Sequence, residues 1–105
     1  MHATIRRYEG VDMARTSEVA EKVKDTLVPQ LRDLPGFGGY YLIEDRSNGV
    51  LSSIGLFETA EQADASTKLV SKWINDENFA TAIPNAPRIT TGKVVAQSDG
   101  LVAVH

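Results

Sequence analysis

Two adjacent arginines, three tyrosines and a single tryptophan are the side chains here with the most chemistry to offer. Arg6 and Arg7 lie in a short alternating segment, so one of them must point to a covered face whichever parity holds. A guanidinium there is either an anion or carbonyl clamp, since its donors form a rigid fork, or half of a rim salt bridge to Glu44, Asp45 or Glu58. The salt bridge is the preferred reading. Tyr8, Tyr40 and Tyr41 can hydrogen-bond a substrate oxygen or act as weak acids, although tyrosine is also common in strands for packing alone. Tyr40 and Tyr41 are neighbours, so they face opposite ways, and the helix-facing one belongs to any site. Trp73 reads first as a core anchor and second as the flat wall of an aromatic pocket. Arg7, Tyr41 and Trp73 are the candidate site residues.

Other chemistries find less support. His2 and His105 stand at the two ends. His2 reads as solvated or partner-contacting and His105 as a disordered terminus. Ser52 and Ser53 have no His/Asp arrangement near them in sequence, which gives a hydrolase triad no basis. Asn85 and Arg88 follow prolines at an expected pocket mouth. Gly36-Phe-Gly38-Gly39 precedes a strand where a phosphate loop would precede a helix. No cluster has metal-ligand spacing, so neither a metal nor a cofactor is expected. The sequence has no cysteine, which excludes disulfides, thiolate metal sites and cysteine nucleophiles.

The elements that hold these residues can be read from pattern. Residues 2 to 8 alternate as a strand, with Ala3, Ile5 and Arg7 on one face and His2, Thr4, Arg6 and Tyr8 on the other. Val19, Val23, Leu27, Leu31 and Leu34 recur at helical spacing. Asp12, or else Thr16 or Ser17, is the expected N-cap. Pro29 lies inside this stripe and predicts a kink between Asp25 and Pro29. Pro35-Gly36 ends the helix. Phe37 to Asp45 and Val50 to Phe57 read as a hairpin joined through Asn48-Gly49. Glycines at 38, 39 and 55 mark bulges or close approaches. Thr59 and Gln62 have capping-box spacing. They open a second helix, rich in small residues at first, that runs to between Asn75 and Asn78. Phe79 and Ile83 are expected to cap the cavity beneath it. Arg88 to Ala96 is the last strand, and 98–105 is a tail whose apolar Leu101 to Val104 should dock.

The order is β-α-β-β-α-β, which predicts a ferredoxin-like α+β fold with an antiparallel sheet and both helices on one face. One domain over 1–97 fits 105 residues with 42% hydrophobic and 24% charged content. The sheet face without helices needs cover, and a second copy packed sheet to sheet supplies it. A net charge of -3 with scattered basic residues argues against a nucleic-acid partner. There is no apolar run of membrane length and no apolar segment behind the basic start, so a cytoplasmic protein is expected.

Leu34-Pro-Gly-Phe-Gly-Gly-Tyr-Tyr41 resembles the Pro-Gly-Phe approach to the second strand in dimeric α+β barrel proteins. Leu56-Phe-Glu-Thr-Ala-Glu-Gln-Ala63 resembles the end of their third strand and the start of their second helix. With strand order and length added, residues 2 to 97 resemble the antibiotic-biosynthesis monooxygenase superfamily. The resemblance implies a homodimer with back-to-back sheets and one pocket per subunit between sheet and helices. Some relatives oxidise polyketide aromatics without metal or flavin, and others degrade haem. The haem branch uses a helix histidine, a first-strand asparagine and a helix tryptophan. Trp73 matches the last, but Ile83 or Asp76 stands where the histidine belongs, and Arg6 or Arg7 replaces the asparagine. Haem degradation is therefore not expected. The resemblance implies a cofactor-independent monooxygenase or isomerase acting on a small aromatic or apolar substrate. The alternative is a non-catalytic ligand-binding or stress-related dimer. A cavity lined by tyrosine or arginine favours the pocket readings, and a layer packed solid by Leu27, Leu31, Trp73 and Phe79 opposes them.

Overall fold

The computed structural model describes residues 1–98. The expectations for the turn at Ser98-Asp-Gly100, for Leu101 to Val104 and for His105 fall wholly or partly outside that span. Four strands, β1 (His2–Tyr8), β2 (Phe37–Asp45), β3 (Val50–Phe57) and β4 (Arg88–Lys93), form one sheet in the order β2-β3-β1-β4. All three pairings are antiparallel. With a helix after β1 and another after β3, this is the ferredoxin-like α+β arrangement.

Because side chains alternate along a strand, β1 divides cleanly. Thr4, Arg6 and Tyr8 are buried beneath the helices, while Ile5 and Arg7 are exposed on the outer face. Arg6 lies opposite Ser53, and Tyr40 lies opposite Gly55. Arg6 and Tyr40 therefore share the helix side, and Tyr41 pairs across from Ile54 on the outside.

The first helix occupies residues 16–32. A 3-10 turn (Met13–Arg15) leads into it, and the Asp12 side chain caps that turn by accepting from the Ala14 N–H at 3.0 Å. Thr16–Lys22 is α-helical, Val23–Leu27 is a π turn, and Val28–Arg32 is α-helical again. The π turn takes the place of the expected kink. Pro29 has no N–H to give the preceding turn, and widening the ladder just before it accommodates the proline ring without breaking the helix. The stripe thus stays in register, with Val19, Val23, Leu27 and Leu31 all buried.

The β2–β3 hairpin turns through Arg46–Asn48 and a left-handed Gly49. Strand β2 carries a bulge between Phe37 and Gly39. The second helix (Ala60–Asp76) begins with a complete capping box: the Gln62 N–H donates to Thr59 Oγ1 at 3.2 Å, and Gln62 Oε1 accepts the Thr59 N–H at 3.0 Å. It buries Ala63, Ser66, Val70 and Trp73. Strand β4 ends at Lys93, three residues before the expected Ala96, and all six of its residues are exposed.

Candidate functional site

The centre of the helix–sheet layer is occupied by a charge. Arg6 has 0% exposure. Its Nε donates to Thr67 Oγ1 at 2.9 Å, its Nη1 to Ser53 Oγ at 2.9 Å and its Nη2 to Ser66 Oγ at 2.6 Å. Each element does its part for a simple reason. Strand alternation turns Arg6 inward, pairing brings Ser53 beside it, and consecutive helix positions put Ser66 and Thr67 above it. Gly55 lies beside this cluster, and a Cβ there would press on the Phe57 ring at 3.2 Å while meeting Arg6 Nη2 at an ordinary 3.8 Å.

Among the described residues, no carboxylate pairs with Arg6. The ion pairs all lie elsewhere, on the surface, and Arg7 makes one of them, with Glu9 at 3.0 Å. The expected partners Glu44, Asp45 and Glu58 are not used by either arginine. Three hydroxyls satisfy hydrogen bonds without neutralising the charge. Such burial is costly, and desolvation lowers the Arg6 pKa against the opposing pull of Tyr8 and Tyr40.

Two phenols surround the cation. Tyr40 Oη lies 2.8 Å from Ser53 Oγ. Burial pushes the Tyr8 hydroxyl up to about 12, with Arg6 pulling it down and Tyr40 pushing it up. Burial also raises Tyr40, partly offset by its Ser53 hydrogen bond and by Arg6. Both phenols stay protonated at neutral pH and can donate.

Two spaces adjoin this cluster. A cleft of about 330 Å³ opens between the second helix, the 80–87 segment and β4, lined by Tyr8, Thr67, Ile74, Ile83, Asn85 and Ile89 among others. That volume reaches the lower end of the range for small-molecule sites. An interior space of about 20 Å³ lies beside Tyr8, Tyr40, Ser53 and Trp73, room for one water-sized group. Tyr8, Ile74 and Ile83 line both and form the partition between them. The interior space is small, and Tyr8 lines both it and the larger cleft beside it.

The predicted site residues divide. Trp73 is buried in the wall of the interior space, packs with its ring centroid 5.5 Å from that of Phe79 at a tilt of 51°, and donates its indole N–H to Thr26 Oγ1 at 2.7 Å. Arg7 and Tyr41 lie on the outer face, where Tyr41 is 61% exposed; parity puts Arg6 and Tyr40 in the positions facing the helices. Asn85 does line the cleft, and its amide holds the Glu9 carbonyl at 3.0 Å. Arg88 pairs opposite Arg7 on the outside. Ile83 does cap the cavity, whereas Phe79 reaches it only through Trp73. The hydroxyl shell of Ser53, Ser66 and Thr67 is the part that a reading of the sequence passes over. Its one signal is a Ser-Thr pair on the helix face above an inward strand arginine. Among the described residues, no three His, Asp or Glu side chains converge as metal ligands would.

No family model matches the sequence, and no curated protein does either. Solved structures do match. A Nitrosomonas europaea protein of unknown function superposes with a TM-score of 0.70 at 15% identity, over 92% of this chain and 91% of that one. This chain shares its ferredoxin-like α+β fold with these structures. A Nitrosomonas europaea candidate antibiotic biosynthesis monooxygenase matches with a TM-score of 0.67 at 15% identity, over 91% of this chain and all of that one. A Streptomyces coelicolor monooxygenase, solved in complex with nanaomycin D, matches with a TM-score of 0.63 at 12% identity, over 91% and 92% of the two chains.

Proposed function

We propose that this chain binds a small, flat, aromatic or apolar molecule in the cleft beside Tyr8 and oxidises it without a cofactor. The observation that carries this reading is a mainly apolar cleft lined by Tyr8, a phenol that feels the charge of buried Arg6 behind it. An electron-rich substrate such as a hydroquinone or anthrone supplies the electrons to oxygen itself. The protein then has only to orient the ring and stabilise oxygen-centred charge, which preorganised donors do well. A structural neighbour solved in complex with nanaomycin D agrees with a small-molecule ligand for this fold.

The assembly we propose is a homodimer. Ile5, Ile54 and Tyr41 form a row across three strands on the outer face, with Ile43 beside it. Ile43 is 51% exposed, and a second copy of the sheet covers these side chains at low cost. Arg7 and Tyr41 then serve the subunit contact. Among the described residues, no helix is long and apolar enough to cross a membrane.

Leu27, Leu31, Trp73 and Phe79 are all buried and leave about 20 Å³ between helices and sheet, so the open cleft must serve this reading and its competitor, a non-catalytic binding module, alike. Oxygen uptake separates the two. Purified protein mixed with hydroquinones or anthrones should consume oxygen above the buffer rate, and Tyr8→Phe should slow it by roughly tenfold or more. Ligand binding with no uptake across the panel would leave the binding module as the function.

A further inference from the structure

We infer that Asn48 is a site of spontaneous modification in the folded protein, losing its side-chain ammonia to attack by Gly49 and leaving aspartate and isoaspartate in the β2–β3 turn. The inference concerns the hairpin and does not depend on the cleft.

The step is an intramolecular acyl transfer, favoured because the two groups are already neighbours. The Gly49 backbone nitrogen attacks Asn48 Cγ. A C–N bond forms, the nitrogen gives up its proton, the Cγ–Nδ2 bond breaks, and ammonia leaves. Nothing is oxidised or reduced. Solvent water then opens the five-membered imide. Cleavage on the Cγ side leaves aspartate in an ordinary backbone. Cleavage on the backbone-carbonyl side leaves isoaspartate, with the chain running through the side chain.

The turn meets the needs of this step. The attacking nitrogen must be unobstructed, and Gly49 has no Cβ to shield it. It must be lightly held, and its bond to the Arg46 carbonyl is 3.4 Å long, beyond the usual range for N–H···O. The carboxamide must meet water, and Asn48 is exposed. Asn48 Nδ2 does donate to Asp45 Oδ2 at 2.9 Å. That bond is also exposed, and its small net worth in water does not lock the carboxamide away. The other asparagines, Asn75, Asn78 and Asn85, precede Asp76, Phe79 and Ala86, whose side chains crowd the following nitrogen. Asn85 also spends its amide on the Glu9 carbonyl at 3.0 Å.

The products disturb their surroundings. An aspartate here sets a carboxylate beside Asp45 where an amide donor stood. Isoaspartate adds a methylene to the backbone of a turn whose Gly49 carbonyl accepts the Val11 N–H at 3.0 Å. Either change loosens that bond, which ties the hairpin to the segment leading into the first helix.

The test ages the full folded chain in mildly alkaline buffer and reads tryptic peptide masses against an unaged digest. Ser47–Lys68 contains Asn48 as its one asparagine, and Trp73–Arg88 contains the other three. Ser47–Lys68 should become about 1 Da heavier and resolve into aspartyl and isoaspartyl forms. It should do so at least roughly tenfold faster than Trp73–Arg88 gains the same mass. Hydrogen exchange at the Val11 amide should quicken as the chain ages. Asn48→Gln keeps the carboxamide but needs a slower six-membered ring, so it should remove both changes. Chain held unfolded in guanidinium chloride is the reference. No mass gain in Ser47–Lys68 from the folded chain would overturn the inference, and a gain confined to the unfolded reference would show that the hairpin protects Asn48. Equal gain in the two peptides would overturn it as well, by showing that Gly49 confers no selectivity.

Discussion

Arg6 and Ser66, sixty positions apart, meet at 2.6 Å between Nη2 and Oγ in the middle of the helix–sheet layer. Ser66 donates its own O–H to the Ala63 carbonyl at 2.6 Å, so its oxygen is held with lone pairs towards the cation. The contact ties the central strand to the second helix through a charge where small domains ordinarily use apolar packing.

Removing that acceptor should cost stability. Ser66→Ala leaves a buried, charged N–H unpaired, which is worth about 1–3 kcal/mol. Urea unfolding at neutral pH should show a lower midpoint. Arg6→Met removes the charge as well, and such replacements are often neutral or stabilising. In the Arg6→Met background, Ser66→Ala should therefore be nearly silent; an equal loss in both backgrounds would mean that the serine matters for some other reason.

Tyr8 sets a limit on the alkaline side. Its folded value of about 12 lies above the ordinary 10.0 of an unfolded tyrosine. The folded state therefore holds the proton more tightly. The associated stability is complete below pH 10 and is lost as pH rises from 10 through 12, by about 2–3 kcal/mol. Tyr40 is raised too and acts in the same direction. Tyr8→Phe should flatten this alkaline fall, as read from the thermal midpoint against pH.

The second helix depends on a glycine outside it. Gly36 has φ +77°, and a Cβ there would collide with the Gln62 side chain that completes the capping box. Gly36→Ala combines backbone strain with a damaged cap, and should cost about 1–3 kcal/mol. An unchanged melting temperature would mean that the cap contributes nothing.

The fold was legible in the sequence where local chemistry decides it. The strand bounds 37–45 and 50–57 follow from alternation between glycine turns, and Thr59 and Gln62 announce the helix they cap. Pro29 announced a disturbance but not its form, because a kink and a π turn satisfy the same missing donor. The site was harder to read. Adjacent Arg6 and Arg7, like adjacent Tyr40 and Tyr41, differ only in parity, and parity depends on which face of the sheet the helices cover. The hydroxyls of Ser53, Ser66 and Thr67 gather around one point only after strand pairing and helix packing have acted, so no spacing in the chain reveals them.

On the outer face, Ile43→Lys should separate a dimer. A charge at that exposed position would be desolvated against the partner sheet, and light scattering at micromolar concentration should move from twice the chain mass to the chain mass. A monomeric unaltered protein under those conditions would contradict the proposed assembly.

The proposed cleft has a reporter close by, because Trp73 is the one tryptophan and lines the interior space that shares Tyr8, Ile74 and Ile83 with the cleft. Titration with anthrone, followed by Trp73 fluorescence, tests the cleft most directly. Saturable quenching is predicted, and Ser71→Phe, which fills the cleft from the exposed side of the second helix, should abolish it. A signal that never saturates, or one that Ser71→Phe leaves intact, would contradict a ligand site in the cleft.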